Sequence, residues 1–193
     1  MTQPFSTYTV NQLGWPTLEP TSDFSLAIRL YRNYEQVVDF RMAGVAVLGV
    51  DELPPLGHGW GPSAAHMLGS ALGADLGGAL LRCLRSANVE ALDLRTEVSG
   101  TFRNDTLGRP HVSNVVVRLA PVLASAEDVA ALPTPERLAE QSVIADCLRT
   151  DIGLHVAIIP ELRVGRHTLA RDVAHVVNGR AHAGPIAFTS ADG

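Results

Sequence analysis

The feature that most constrains this chain is the run SAAHMLGSALGADLGGALLRCLRSA from Ser63 to Ala87, which is proline-free and built almost entirely of small and apolar residues. Its spacing predicts one helix of about 24 residues, N-capped by Ser63, ending before Asn88 and roughly 36 Å long at 1.5 Å per residue. At about 100° per residue, Leu68, Leu72, Asp75, Ala79 and Arg82 fall along one side, and Gly69, Gly73 and Gly77 along the opposite one. Each glycine costs about 1 kcal/mol relative to alanine inside a helix, so three on one stripe imply another backbone packed very close, most simply a partner helix. A small-residue stripe in a long apolar helix is also a transmembrane dimer motif, but Asp75 stands near its centre. A carboxylate there costs at least about 2.5 kcal/mol on insertion scales, so the helix reads as the core of a water-soluble domain and no membrane is expected.

Around this helix the 193 residues have the content of one globular domain, 46% hydrophobic and 18% charged. All 15 cationic residues are arginine, which removes lysine chemistry such as imine formation. They are scattered singly in a chain of net charge -5, so there is no basic stripe and no nucleic-acid partner is expected. Cys83 and Cys147 lie far apart and form neither a secreted disulfide framework nor a zinc pair. The opening MTQPFSTYTVNQLGWP lacks the charged and apolar regions of a secretory signal, so the expected location is the cytoplasm.

Residues 1–23, rich in Thr, Ser, Pro and Gln, read as an arm. From Phe24, alternating runs around a turn at Arg32-Asn33 predict a β-meander, followed by the loop VDELPPLGHGWGP that leads into the helix. After the helix, VEALDLRTEVSGTFRND and RPHVSNVVVRLAPVLA predict a β-hairpin turned by NDTLGRP. A second helix is expected from Thr134, with Pro135 at its first position, to about Thr150, and GLHVAIIPELRV then supplies a closing strand. The last residues suggest a short amphipathic helix through Val177, stopped by Gly179.

The stretch DELPPLGHGWGPSAAHMLGSALGADLGGALLRCLRSANVEALDLRTEVSG resembles the OsmC and organic hydroperoxide resistance (Ohr) family, whose members show a Gly-Pro-small-Pro helix start, an Ala-Leu-Gly/Ala-Ala-Cys centre and a following strand. Strand order, central helix and a later helix ending in a cysteine extend the similarity from about Phe24 to about Gly165. The implied organisation is an arm (1–23), an OsmC-like domain (24–165) and a C-terminal tail (166–193). The resemblance implies an α+β fold of meander, long central helix, hairpin, second helix and closing strand, in which two protomers intertwine as a homodimer. It also implies thiol chemistry without a cofactor: a peroxidatic cysteine in the central helix attacks a hydroperoxide, a second cysteine resolves it, and an arginine and a glutamate tune the thiolate.

Carried over residue by residue, the peroxidatic position falls on Asp75, which cannot form a sulfenic acid. The glutamate position falls on Ala65 or, one place later, His66. Cys147 matches the resolving cysteine, although the usual Cys-Pro is Cys147-Leu148 here, and Arg32 best matches the arginine. Cys83 lies roughly 12 Å along the helix from Asp75 and reads as a core cysteine. An arginine beside Asp75 would leave a charge-balanced pocket for a small-molecule ligand of apolar or peroxide-like character. The alternatives are a weak one-cysteine hydroperoxide reductase using Cys147, and a structural or interaction protein. His58, His66, Asp75 and Cys147 are zinc ligands by type, but His66 is half a turn around the helix from Asp75, and no metal is expected.

Overall fold

Apolar and polar residues alternate on both sides of Arg32-Asn33, and the computed structural model pairs these runs as antiparallel strands β1 (Ala27–Arg32) and β2 (Glu35–Asp39). The structure describes residues 24–148, 153–164, 167–170, 174–177 and 180–182. The expected arm of residues 1–23 lies outside them. The chain forms two units, residues 1–68 and 69–193.

In the first unit β3 (Leu48–Val50) pairs antiparallel with the other edge of β2, completing the expected meander. Arg32 faces Glu35 across the β1–β2 turn, leaving Asn33 and Tyr34 as the connection. Asn33 takes φ 52°, a left-handed conformation that asparagine tolerates. Leu26, Ile28 and Leu30, spaced by two, are all exposed.

Helix α1 spans Ala64–Ser86. At its start the Met67 N–H donates to the Ser63 carbonyl at 3.1 Å, so Ser63 is the N-cap, as expected. At its end Asn88, φ 59°, turns the chain, while the Val89 and Asn88 N–H groups close onto the carbonyls of Leu84 and Arg85 at 2.9 and 3.0 Å. This left-handed stop satisfies carbonyls the helix itself leaves unpaired.

Among the described residues, the second unit holds a seven-stranded mixed sheet. β4 (Asp93–Asn104) and β5 (Pro110–Leu123) form the expected antiparallel hairpin. β6 (Leu154–Ile158) runs parallel to the middle of β5, and β7 (Glu161–Val164) parallel to its end. The single closing strand expected from the sequence is therefore two. Pro160 has no N–H to give a ladder and separates them, while the Ile159 N–H still reaches the Leu119 carbonyl at 2.8 Å. The expected C-terminal helix through Val177 is also corrected: β8 (His167–Ala170) pairs with β7, β9 (Ala174–Val177) with β6, and β10 (Arg180–His182) with β9. Gly179, the expected helix stop, lies outside the described residues.

The core of this unit packs Leu72, Leu76, Leu80 and Leu84 of α1 against Val117 and Leu119 of β5, Val156 and Ile158 of β6, and Leu138. Each leucine so buried contributes about 1.5–3 kcal/mol. The glycine stripe does not meet a partner helix. It lies against β4 of the same chain: a β-carbon at Gly73 would stand 2.7 Å from Val98 Cγ2, and one at Gly77 would stand 3.4 Å from Thr96 Oγ1. The second helix is likewise two, α2 (Pro135–Glu140) and α3 (Val143–Leu148), parted at Gln141-Ser142. Thr134 caps α2, its Oγ1 accepting from the Arg137 N–H at 3.3 Å. The expected end at Thr150 lies outside the described residues.

The glycine contacts separate two substitutions that helix propensity treats alike. Gly73→Ala drives a methyl into the stiff branched side chain of Val98 and is expected to destabilise by about 1–3 kcal/mol. Gly77→Ala finds ordinary van der Waals space and is expected to be neutral or to stabilise by up to about 1 kcal/mol. Denaturant unfolding of the two variants distinguishes them.

Candidate functional site

Asp75, the one acid within α1, projects from the middle of that helix onto the first turn of α3. Its Oδ2 accepts two hydrogen bonds, from Ser142 Oγ at 2.6 Å and from the Ile144 N–H at 2.9 Å. Ser142 is fully buried, and its Oγ in turn accepts from the Ala145 N–H at 3.0 Å. Two amides left over at the start of a helix are thus satisfied, one by the serine before it and one by a carboxylate from another helix. Negative charge at a helix N-terminus is favourable, so Asp75 is matched by α3 itself. This is why the expected long second helix divides where it does: Ser142 turns from a helix residue into a cap because Asp75 is there to receive its hydroxyl.

Cys147 lies one turn further along α3 and is exposed. Cys83 is half-buried beside the core, as expected of a structural cysteine, and its thiol donates to Gln141 Oε1 at 2.8 Å. Burial pushes the Cys83 thiol up from its ordinary value, against the smaller opposing influence of Arg137 and Arg82.

The remaining sequence candidates lie in the first unit. Ala65 occupies the first turn of α1 and offers no polar side-chain atom. His66 completes the N-cap: its Nδ1 accepts from the Ser63 N–H at 3.3 Å and lies 2.8 Å from Ser63 Oγ. Because a backbone N–H can only donate, Nδ1 is the acceptor, and the histidine makes the half of a capping box that glutamate usually makes, satisfying the N–H of the N-cap residue. Arg32 donates to Glu35 Oε1 at 2.9 Å.

Glu35 and Asp51 were not singled out by sequence reasoning, yet among the described residues they are the two buried acids of this unit, 1% and 2% exposed. Asp51 organises the loop that follows β3. Its Oδ2 accepts from the His58 and Trp60 N–H groups at 2.9 and 3.0 Å, and its Oδ1 from the Glu52 N–H at 2.8 Å. Trp60 thereby lies over Gly49 and stacks on Tyr31, with ring centroids 5.8 Å apart. The Trp60 N–H does most to hold the Asp51 carboxyl below the usual range, with burial opposing and the His58 and Glu52 amides adding to it. The glycines of DELPPLGHGWGP, legible in the sequence as loop formers, mark where backbone closes on this carboxylate: a β-carbon at Gly57 would strike the Glu52 carbonyl.

No family profile matches the sequence, and no curated protein matches it. Solved structures do match. An OsmC like protein from Mycoplasma pneumoniae superposes with TM-score 0.58 at 13% identity, over 72% of this chain and 98% of that one. This is the OsmC/Ohr fold. The organic hydroperoxide resistance protein OhrB of Bacillus subtilis shares it with TM-score 0.54 at 15% identity, over 71% and 98% of the two chains. So does a putative organic hydroperoxide resistance protein from Vibrio cholerae with captopril bound in one of its active sites, with TM-score 0.52 at 15% identity over 78% and 99%. The α+β architecture implied by the sequence resemblance is that of these OsmC/Ohr structures. Among the described residues, the one helix long and apolar enough to span a membrane is α1, whose leucines lie in the core of the second unit.

Two measurements follow from these environments. Ellman's reagent is expected to label Cys147 at least on the order of tenfold faster than Cys83, and Cys147→Ser is expected to remove the fast phase. Because the Asp51 carboxyl titrates lower folded than unfolded, its stabilisation is complete above the ordinary aspartate range and is lost as pH falls through and below it. Thermal melts from pH 7 to pH 3 are expected to show a smaller acid-induced loss in Asp51→Asn than in wild type, from a lower starting stability.

Proposed function

We propose that this chain is a non-peroxidatic relative of the thiol-dependent hydroperoxide reductases, an OsmC-like protein that retains the fold and a small-molecule site but has lost the reaction centre. The observation that carries this reading is the state of Asp75. On the resemblance of the two sequences it stands where the attacking thiol would be, and its carboxylate is engaged by Ser142 and the Ile144 amide. A carboxylate so held has no sulfur to oxidise and is the anchor of α3. Cys147, at the resolving position, then has no sulfenic acid to resolve.

The ligand is taken to be a small molecule of apolar or peroxide-like character, by analogy with the captopril-holding active site of the Vibrio cholerae protein. The working assembly is a homodimer in the cytoplasm. The exposed row Leu26, Ile28 and Leu30, which runs into β1, supports it, because apolar residues alternating along one face of an extended segment are ordinarily covered.

A second reading rests on the exposure of Cys147. In a one-cysteine reductase its thiolate attacks the outer peroxide oxygen, the O–O bond breaks, and the alcohol leaves with a proton. The resulting sulfenic acid takes one external thiol to give a mixed disulfide and water, and a second thiol restores Cys147 with release of the external disulfide.

Cumene hydroperoxide consumption with dithiothreitol or dihydrolipoamide separates the readings. Wild type is expected to be inert, and Asp75→Cys to gain turnover, pairing its new thiol with Cys147. Turnover by wild type that disappears in Cys147→Ser would replace the first reading with the second.

A further inference from the structure

We propose that Glu35, Asp51 and His58 form a binding site for a divalent transition-metal cation of the zinc class. The proposal concerns the first unit alone and does not rest on the peroxidase-related reading above.

The β2–β3 register places Gln36 opposite Val50, so the next pair outward sets Glu35 beside Asp51. Two like charges directly across a strand pair repel, and here both are buried, which sharpens the cost. Three backbone amides engage Asp51, and Arg32 engages Glu35 Oε1. Glu35 Oε2 is left over: it is the buried side-chain oxygen among the described residues with no hydrogen-bond partner. A carboxylate oxygen in that condition is one that a cation would satisfy.

The third group is already at hand. His58 Nδ1 lies 3.8 Å from Glu35 Oε1, too far for a hydrogen bond. One donor atom from each of Glu35, Asp51 and His58 lies within 4.8 Å of the others. Three donors sharing one zinc ion, each about 2.0–2.2 Å from it, stand about 3.3–3.8 Å apart, so the cluster needs a contraction of about 1 Å. The imidazole can supply it, because the His58 side chain is 69% exposed and sits between Gly57 and Gly59. Arg32 occupies one oxygen of Glu35 and leaves the other for the metal. One imidazole and two carboxylates, with no thiolate, suit zinc, cobalt or nickel better than calcium or magnesium, which favour all-oxygen shells.

Zinc titration of the chelator-treated full chain by calorimetry at pH 7, with Glu35→Gln and His58→Ala as variants, tests the site. The expected result is one zinc per chain in wild type, a raised thermal midpoint on zinc addition, and loss of both effects in His58→Ala, whose exposed ring can be removed without disturbing the core. Glu35→Gln is expected to lose binding as well, and His58→Ala carries the test should Glu35→Gln fail to fold. Cobalt(II) should give visible d–d bands in wild type and none in His58→Ala. Absence of zinc binding, or binding that persists unchanged in His58→Ala, would overturn the proposal.

Discussion

Burial of the leucine side of α1 against β5 and β6 is the contact on which the second unit depends. It fixes the helix along the sheet, and with it the direction of every other residue on α1. Because Leu72, Leu76 and Leu80 face the core and Gly73 and Gly77 face β4, Asp75 is left at the flank of the buried surface, level with the start of α3. A carboxylate at that place has a half-buried environment and needs donors. The Ser142 hydroxyl and the Ile144 amide are the ones the fold supplies. The same contact that packs the helix therefore decides what its one central charge can do.

The parts of the fold legible in the sequence are those whose signal is local. The meander, the β4–β5 hairpin and α1 each carry their own period over enough residues to be read, and both ends of α1 are marked by Ser63 and Asn88. The division of α2 from α3 is not local, because Ser142 becomes a cap only through Asp75, 67 residues earlier. The terminal strands are four residues or fewer and owe their conformation to pairing with β6 and β7, so a stretch such as ARDVAHVV reads as an amphipathic helix until those partners are known. The glycine stripe was legible as a demand for close packing. What met it, branched side chains of a strand of the same chain, was not.

The candidate sites divide in the same way. Arg32 and Cys147 stood out because a family pattern gave their positions meaning, Asp75 also as the lone acid at the centre of an apolar helix, and the structure gives Asp75 and Arg32 partners that the pattern did not contain. Glu35 and Asp51 stood out for no sequence reason. They lie 16 residues apart in ordinary-looking text, and only the β2–β3 register and the closure of the glycine loop bring them together with His58. An exposed row of apolar residues on β1 was equally hidden, since alternation marks a strand without saying which face is covered.

The central claim is that Asp75 acts as the anchor of α3. A double-mutant cycle on unfolding free energy, with Asp75→Ala, Ser142→Ala and the double variant, tests it most directly. The account predicts that each single variant destabilises by about 1–3 kcal/mol through an orphaned buried donor or acceptor, and that the double variant falls short of their sum by at least about 0.5 kcal/mol. Strictly additive losses, or an Asp75→Ala variant as stable as wild type, would contradict it.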